Sequence, residues 1–434
     1  MALDFDSTPF KNRCQALLDK LPNASLFILH AALEVARNRD THFPYRQDSS
    51  FYYLTGFEEP ESALILTKDA EGTTQRHLLC RAKHEERELW EGYRWGPDAA
   101  KEYFAFDQTA PIENFNEYLK PLLEKTQHLY SDLSQTTRLD GFNTLLQRTR
   151  RAGQTLQWND ALPLVETLRR RKDATELAFM RRAASISAEA HCDAMRATQS
   201  GRYEYEIEAA LSHTFLRYGS RAVAYPSIVA GGSNACVLHY RDNTRQLNDG
   251  ELLLIDAGCE YNYYASDITR TFPVNGRFNS AQRDLYTLVL TAQETAIAHL
   301  KPGVTWEEYQ QLTLRTVVEG LQALKLCEGT VEAIIESGDY KRFYMHRAGH
   351  WLGLDVHDAG AYVDDSGRPI PLEAGMVLTV EPGCYVRPDE RVPEAYWNTG
   401  IRIEDDVLIT ETGCEVLSFE VPKGIGEIEG LMGR

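Results

Sequence analysis

Residues 251–272 read ELLLIDAGCEYNYYASDITRTF, and this stretch constrains the fold more than any other part of the chain. A run of apolar residues leads to Asp256, and a second short run carries Asp267 eleven positions later. Short apolar runs bounded by turn residues predict two β-strands. If the chain reverses at Tyr261-Asn262, the strands form a hairpin in which Asp256 lies directly opposite Asp267, with Cβ atoms about 4.5–5.5 Å apart.

Two carboxylates held this close repel each other unless a positive charge lies between them. A pair of divalent metal ions, typically about 3.5–4 Å apart, would satisfy both. The alternative is that both aspartates merely flank a turn, where aspartate is common for its local hydrogen bonds. Tyr-Asn is also not a favoured two-residue hairpin turn, which leaves a longer loop or a bulge open.

The length of 434 residues exceeds what one hydrophobic core usually holds, and it predicts two domains. We place the boundary near residue 170, giving domains 1–170 and 171–434. The basic run Arg169, Arg170, Arg171 and Lys172 reads as a solvated linker, with a phosphate site as the alternative. Asp173 and Glu176 then form a capping-box pattern that predicts the start of a long helix.

The two parts differ in their element pattern. Strand-like runs at 25–33, 62–68 and 76–80 and helical spacing at 115–126 and 142–151 predict an α/β N-terminal domain. The second part has helical spacing at 203–219, 280–300 and 305–324. Its strand candidates are 251–258, 265–272, 375–383, 400–410 and 414–420. Because these elements occur in blocks and do not alternate strictly, the second part is predicted to be α+β.

The formal charge of −18 argues against a nucleic-acid partner, because a phosphate backbone requires a basic surface. No apolar run of about 18 residues is present, and we expect no membrane span. The N-terminus lacks the pattern of a secretory signal. The eight cysteines include no Cys-x-x-Cys pair, which indicates reduced thiols and a cytoplasmic location.

Three further segments of the second part carry ionisable side chains. YMHRAGHWLGLDVHD supplies His346, His350 and His357, but it does not match the zinc-protease motif HExxH, since Arg347 follows the first histidine. LEAGMVLTVEPGCY is an apolar run that ends at Glu381 before Pro-Gly, which repeats the pattern at Asp256. In GIRIEDDVLIT, strand alternation places Arg402 and Glu404 on one face and the isoleucines between them on the other.

The order Asp256, Asp267, His350, Glu381 and Glu404 resembles the five-ligand metal site of the pita-bread metallopeptidases, which include methionine aminopeptidase, prolidase and aminopeptidase P. The strings DAGCEYNYYASDITRTFPVNG, HWLGLDVHD, VLTVEPG and GIRIEDD are similar to the bacterial type of aminopeptidase P. FPYRQDSSFYYLTGFEEPES is similar to the N-terminal domain of that family, which methionine aminopeptidase lacks. The resemblance covers essentially the whole chain and implies a pita-bread fold for the second domain.

The resemblance also implies roles. Asp256 would bind one of two divalent ions, Asp267 and Glu404 would bridge both, and His350 and Glu381 would complete the site. Manganese suits this oxygen-rich ligand set better than a structural zinc site does. The nucleophile would be a metal-bridging hydroxide, with Glu381 as proton acceptor.

Further residues match family positions that contact the substrate. These are His239, His346, His357, Arg402, Tyr385 and Trp90, with Trp90 reaching the active site of a neighbouring subunit. The implied activity is hydrolysis of the N-terminal Xaa-Pro bond of peptides by a homo-oligomer, a dimer or a tetramer.

Three alternatives remain open at this point. They are a prolidase that accepts only dipeptides, a creatinase-like enzyme without metal, and a non-catalytic peptide-binding protein. Purely structural roles of single residues also stay open. His239 would then be a core histidine on an apolar strand, Arg402 would neutralise nearby acids, and Trp90 would be a partly buried tryptophan.

Overall fold

The computed structural model describes residues 5–134 and 156–433. The chain divides into two compact units, residues 1–169 and 170–434. The predicted helix at 142–151 lies outside the described residues.

A mixed six-stranded sheet forms the centre of the first unit, in the order β6-β5-β4-β1-β7-β8. The strands of this unit are β1 (Ser25–His30), β2 (Ala36–Asn38), β3 (Thr41–His42), β4 (Ala63–Lys68), β5 (Thr74–Cys80), β6 (Gln108–Pro111), β7 (His128–Ser131) and β8 (Gln157–Asp160). Strand β1 is antiparallel to β4 and parallel to β7. The predicted strands are therefore present, and they belong to one sheet.

Helices accompany this sheet, and apolar side chains join them to it. They are α1 (Thr8–Lys20), α2 (Ser49–Thr55), α3 (Glu85–Glu91), α4 (Pro97–Tyr103), α5 (Phe115–Leu123) and α6 (Leu162–Arg169), with a 3-10 turn at Ile112–Asn114. Leu119 and Leu123, one helical turn apart on α5, pack with Ile28, Ile65 and Leu129 of the sheet. The unit is α/β, as the sequence predicted.

The second unit consists of antiparallel strands covered by long helices. Its helices are α7 (Ala174–Ala197), α8 (Glu204–Arg217), α9 (Ser280–His299), α10 (Trp306–Ala323), α11 (Val331–Ser337) and α12 (Ile425–Met432), with 3-10 turns at Gly232–Cys236, Asp339–Arg342 and Glu394–Tyr396. Asp173 and Glu176 form the predicted capping box: Asp173 Oδ1 accepts from the backbone N–H of Glu176, and Glu176 Oε2 accepts from that of Asp173.

The strands of the second unit form small antiparallel sheets, β10-β11-β14, β13-β12-β9, β15-β18-β19 and β16-β17. Their bounds are β9 (Ala222–Val223), β10 (Ile228–Gly231), β11 (Leu252–Asp256), β12 (Cys259–Tyr261), β13 (Tyr264–Ala265), β14 (Thr269–Pro273), β15 (Val377–Val380), β16 (Gly383–Val386), β17 (Thr399–Arg402), β18 (Asp405–Ile409) and β19 (Cys414–Val416). A bridge between Thr269 and Glu404 links the first sheet to the chain between β17 and β18. This is the α+β, pita-bread arrangement predicted for the second domain.

One core joins the helices to these sheets. Apolar side chains of α7 to α10 pack against Ile255 of β11, Phe272 of β14 and Ile401 of β17. Ile403 belongs to the same core, which confirms that the isoleucines of GIRIEDD face inward. The opposite side of the strands is left for the polar residues between them.

The hairpin at 251–272 is present, but the predicted register was wrong. Tyr261 pairs with Tyr264, and Asp256 pairs with Thr269 instead of Asp267. The turn lies at Asn262-Tyr263, whose φ angles of 48° and 70° are the left-handed pair that a two-residue hairpin turn requires. The shift is two residues, and since side chains alternate with a period of two, Asp267 stays on the face of Asp256.

The basic run at 169–172 is not a solvated linker. Lys172 is buried, and its Nζ lies 3.1 Å from Asp358 Oδ2. Arg169 is also buried, and its Nη1 donates to Ser50 Oγ. A buried cation is stable only when it has a polar or charged partner, and Asp358 and Ser50 are the partners of Lys172 and Arg169. These two residues of the run therefore belong to the packed structure.

Candidate metal and peptide site

The predicted site residues of the second unit, except Tyr385, line one cavity of about 550 Å³. Tyr385 is fully buried and does not line it. Asp256 ends β11, Asp267 precedes β14, and Glu381 lies between β15 and β16. Glu404 lies between β17 and β18. Each acid thus lies at or next to the end of a strand, and its side chain lines the common cavity.

Asp256 and Asp267 are joined by a residue that the sequence did not single out. The hydroxyl of Tyr225 lies within hydrogen-bond distance of Asp256 Oδ1, at 2.7 Å, and of Asp267 Oδ1. One hydroxyl proton serves only one of these acceptors at a time. The two aspartates therefore converge on one point.

Glu404 contacts the hairpin through Thr269, which is the residue that pairs with Asp256. Thr269 Oγ1 donates to Glu404 Oε2 at 2.7 Å, and Arg402 Nε donates to Thr269 Oγ1 at 3.2 Å. Arg402 Nη2 donates to Asp256 Oδ2 at 2.5 Å. Strand alternation predicted that Arg402 and Glu404 share a face, and the structure confirms it.

His350 lies in an extended segment, not in a helix, as expected from the absence of an HExxH motif. Its neighbour Gly349 passes so close to the carbonyl of Thr379 that a Cβ atom would overlap it. The Nδ1–H of His350 donates to the carbonyl of Trp351 at 2.9 Å, which leaves Nε2 facing Asp267 Oδ2 at 3.3 Å. Fixing one ring nitrogen in this way is how proteins prepare a histidine for a metal.

The carboxyl groups of this site are buried with little compensating charge. Burial raises the pKa of Glu381 to about 7, although His350 and Arg402 oppose the shift. Burial and the charge of Asp267 raise the pKa of Glu404 well above its ordinary value. For His350, burial acts downward, but the hydrogen bond and charge of Asp267 raise its pKa to about 9.

These features fit a divalent cation. Ligand atoms of Asp267, His350 and Glu404 lie within 4.8 Å of one another, so one ion can reach all three. Two carboxylates and one imidazole, with the carboxylates of Asp256 and Glu381 lining the same cavity, form an oxygen-rich donor set of the kind that Mn²⁺ and Mg²⁺ prefer over a structural zinc site.

A directed chain of hydrogen bonds joins two residues that line the cavity, Arg402 and His346, through the buried Tyr385. Arg402 Nη1 donates to the hydroxyl of Tyr385 at 2.9 Å, and this hydroxyl lies 2.9 Å from Nε2 of His346. The Nδ1 of His346 lies 2.7 Å from the carbonyl of Arg347 and must donate to it, so Nε2 accepts from Tyr385. Burial and Arg402 lower the pKa of His346 to about 4, which agrees with a neutral ring.

His239 and His357 line the same cavity but are exposed. His239 lies in a turn after a 3-10 helix, so its interpretation as a core histidine on an apolar strand was wrong. The ring of His357 stands edge-on to that of His350, with centroids 4.3 Å apart. Both are placed where a bound molecule would touch them.

Trp90 belongs to α3 of the first unit and is 86% exposed, which excludes the partly buried interpretation within this chain. Its neighbours Leu89 and Tyr93 are 85% and 93% exposed. These three side chains form an unusually apolar surface segment.

The sequence reasoning missed Tyr225, Thr269 and Asp406. Asp406 accepts from the backbone N–H of Asp267 at 3.1 Å and so fixes the segment that carries this acid. Its position directly after Glu404-Asp405 was the only available signal, and alternation would have assigned it to the face of Glu404.

Two family models match the chain. Residues 178–411 match metallopeptidase family M24, and residues 10–130 match the aminopeptidase P N-terminal domain. The Xaa-Pro aminopeptidase of Escherichia coli (strain K12) is 42% identical, over 98% of this chain and 97% of that protein. The Xaa-Pro aminopeptidase of Haemophilus influenzae is 44% identical, over 97% and 96%.

Solved structures resemble the whole chain. Zn-substituted E. coli aminopeptidase P in complex with product superimposes with a TM-score of 0.95 at 42% identity, covering 99% of each chain. Pseudomonas aeruginosa aminopeptidase PepP gives 0.94 at 44% identity, covering 99% of this chain and 98% of that one.

Proposed function

The chain belongs to metallopeptidase family M24 and carries the aminopeptidase P N-terminal domain, and we propose that it removes the first residue from peptides whose second residue is proline. The observation that carries this proposal is the convergence of Asp256, Asp267, Glu381 and Glu404 on one cavity with His350. Within residues 5–134 and 156–433, Arg402 is the one permanent cation that hydrogen-bonds to any of these carboxylates. The remaining negative charge calls for a cation from outside the chain.

The cation we propose is a pair of divalent metal ions, most readily Mn²⁺. Asp256 would bind one ion, Asp267 and Glu404 would bridge both, and His350 and Glu381 would complete the site. When bound, such ions polarise the scissile carbonyl and make a water molecule acidic. The oxygen-rich donor set and the fixed Nε2 of His350 support this assignment.

Glu381 is placed to hold and return the proton of the reaction. Its carboxylate lies at the cavity wall, with Oε2 3.8 Å from Nδ1 of His346 and Oε1 3.8 Å from Nε2 of His350. It would accept a proton from the attacking water and pass it to the departing nitrogen. His239 and His357, exposed at the same cavity, would contact the substrate and stabilise the charge that develops on its carbonyl oxygen.

Selection for proline would rest on shape. The nitrogen of an Xaa-Pro bond carries no hydrogen, so the site cannot recognise it as a donor. His346 and Arg402 line the cavity with Glu381, and the buried Tyr385 fixes both by hydrogen bonds. This part of the cavity can hold the pyrrolidine ring by contact and a neighbouring carbonyl by hydrogen bond.

We also propose a homo-oligomer, a dimer or a tetramer, in the cytoplasm. The exposed Leu89, Trp90 and Tyr93 support a contact with a second copy, where Trp90 would reach the neighbouring active site. The eight cysteines are free thiols, which supports a reducing compartment. Among the helices of the described parts of the chain, none has both the length and the apolar character to cross a membrane.

A cleavage panel tests the proposal. Purified protein with added Mn²⁺ is offered Xaa-Pro dipeptides, Xaa-Pro-Yaa tripeptides and Met-Ala peptides, and we expect the tripeptides to lose their first residue. Cleavage of the dipeptides alone would identify a prolidase instead. Glu381→Ala serves as the control for catalysis at this site: unchanged hydrolysis in this variant, in a protein that binds no divalent ion, would exclude the metallopeptidase mechanism.

A further inference from the structure

We infer that Arg347 binds the C-terminal carboxylate of a short peptide substrate at the border between the first cavity and a second cavity beside it. The inference rests on the proposed function and adds a substrate class to it: tripeptides of the form Xaa-Pro-Yaa with a free carboxyl end. Arg347 directly follows His346 in the chain but was not among the residues predicted to touch substrate.

The second cavity has a volume of about 310 Å³ and adjoins the first. Its walls are formed largely by aromatic and amide side chains, among them Trp306, Gln310, Tyr340 and Tyr344. His346, Arg347 and Tyr362 line both cavities. These three residues therefore lie at the border between the proposed catalytic space and the second cavity.

This border is on the side where the leaving part of the substrate must lie. The Nδ1 of His346 is 2.7 Å from the carbonyl of Arg347 and 3.8 Å from Oε2 of Glu381. Glu381 is the group proposed to protonate the departing proline nitrogen, so proline and the residue after it extend from there. Two extended residues span about 7 Å, which carries the third residue of a tripeptide towards Arg347.

The charge of Arg347 is available for a ligand. Its side chain is exposed, and its guanidinium carbon lies 5.7 Å from the ring centre of Tyr362. In the described residues, no carboxylate pairs with this guanidinium. Arg402, by contrast, is buried and held by Asp256 and Tyr385.

The proposed substrate site is negatively charged at one end and positively charged at the other. The acids around His350 attract the N-terminal ammonium of a peptide and repel its carboxylate. Arg347 provides the complementary end, since a guanidinium binds a carboxylate through two parallel hydrogen bonds. A peptide with a free C-terminus would thus be oriented with its first residue at the metal site.

The test compares kcat/KM for an Xaa-Pro-Yaa tripeptide and for the same tripeptide with an amidated C-terminus. We expect the wild-type protein to prefer the free acid by about tenfold, as a charged hydrogen bond of this strength implies. Arg347→Ala should make the two peptides equal substrates, mainly by slowing the free acid, and Arg347→Lys should keep part of the preference.

Arg241 provides the matched control, because it is an exposed cation that lines the first cavity but not the second. Arg241→Ala should retain the full preference for the free acid. A wild-type protein without this preference, an Arg347→Ala variant that keeps it, or an equal loss in Arg241→Ala would overturn the inference. Failure of the wild-type protein to cleave either tripeptide would instead contradict the proposed function itself.

Discussion

Glu404 and Asp405 are neighbours in the chain, both are buried carboxylates, and their surroundings are opposite. Asp405 accepts from Arg270 Nη2 and Lys423 Nζ, each at 2.7 Å, and from the side chains of Gln293 and Ser418. Glu404 accepts from the hydroxyl of Thr269 and faces the other acids of the metal site.

The pKa values follow this difference. Burial acts upward on the pKa of Asp405, but Arg270 and Lys423 hold it well below its ordinary range. Burial and neighbouring acids raise that of Glu404. Asp405 is thus neutralised by cations of the chain and stabilises the fold. Glu404 has no such partner among the described residues, and its charge must be balanced by an ion that the chain does not supply.

The largest effect is expected from Glu404→Gln. The amide keeps the shape of the side chain but removes the charge of a proposed bridging ligand, and hydrolysis of Xaa-Pro peptides should fall at least about 10³-fold. In metal-free protein the same variant should unfold no more easily than the wild type, because the raised pKa of Glu404 favours the neutral form that the amide resembles. Steady-state kinetics measure the loss of hydrolysis, and urea denaturation with a chelator measures the stability. Retained activity would contradict the assignment of Glu404 as a metal ligand.

Asp405→Asn should show the reverse. Arg270 would remain buried without its acid, and the free energy of unfolding should fall by about 3–5 kcal/mol. Urea denaturation under the same metal-free conditions measures this loss, with Glu404→Gln as the paired control. If the two variants lose equal stability, the two carboxylates do not differ in the way described.

A smaller effect concerns pH and His191, a fully buried residue of α7 whose Nε2 donates to the carbonyl of Ala257 at 2.9 Å. Burial lowers its pKa to about 4, and Arg270 acts in the same direction. Because the pKa is lower in the folded protein, its stabilising contribution is complete above pH about 6.5 and is lost as the pH falls towards 4.

We therefore expect the free energy of unfolding of the wild type to fall between pH 7 and pH 5 by about 1–2 kcal/mol more than that of His191→Gln, which can keep the hydrogen bond to Ala257. Denaturation of chelator-treated protein at both pH values isolates this difference from metal binding. Parallel pH dependence of the two proteins would show that folding does not lower the pKa of His191.

Much of the site was visible in the sequence because its signals are local. Apolar runs ending in Asp256 and Glu381, and the alternation of Arg402 with Ile403, depend on the period of a strand and not on its partner. The capping box at Asp173 and Glu176 is equally local. The error in the hairpin register did little harm, because a shift of two residues leaves every side chain on the same face.

Long-range contacts were not visible. Tyr225 joins Asp256 and Asp267 from another strand region, and Lys172 pairs with Asp358 across nearly half of the chain. Nothing in the run Arg169–Lys172 distinguishes a buried cation from a solvated one. Whether such a cation is buried depends on its partner, and the partner is distant in sequence.

The sequence by itself determined the two-part organisation, the strand-end acids and, through its resemblance, the family to which the chain belongs. That resemblance assigned Glu404 to the metal, but only the tertiary structure shows why its neighbour Asp405 is held by cations of the chain instead. The reason is physical: their local sequence is almost the same, but the charges that compensate Asp405 come from Arg270 and Lys423, which only the folded chain brings to one side of the strand.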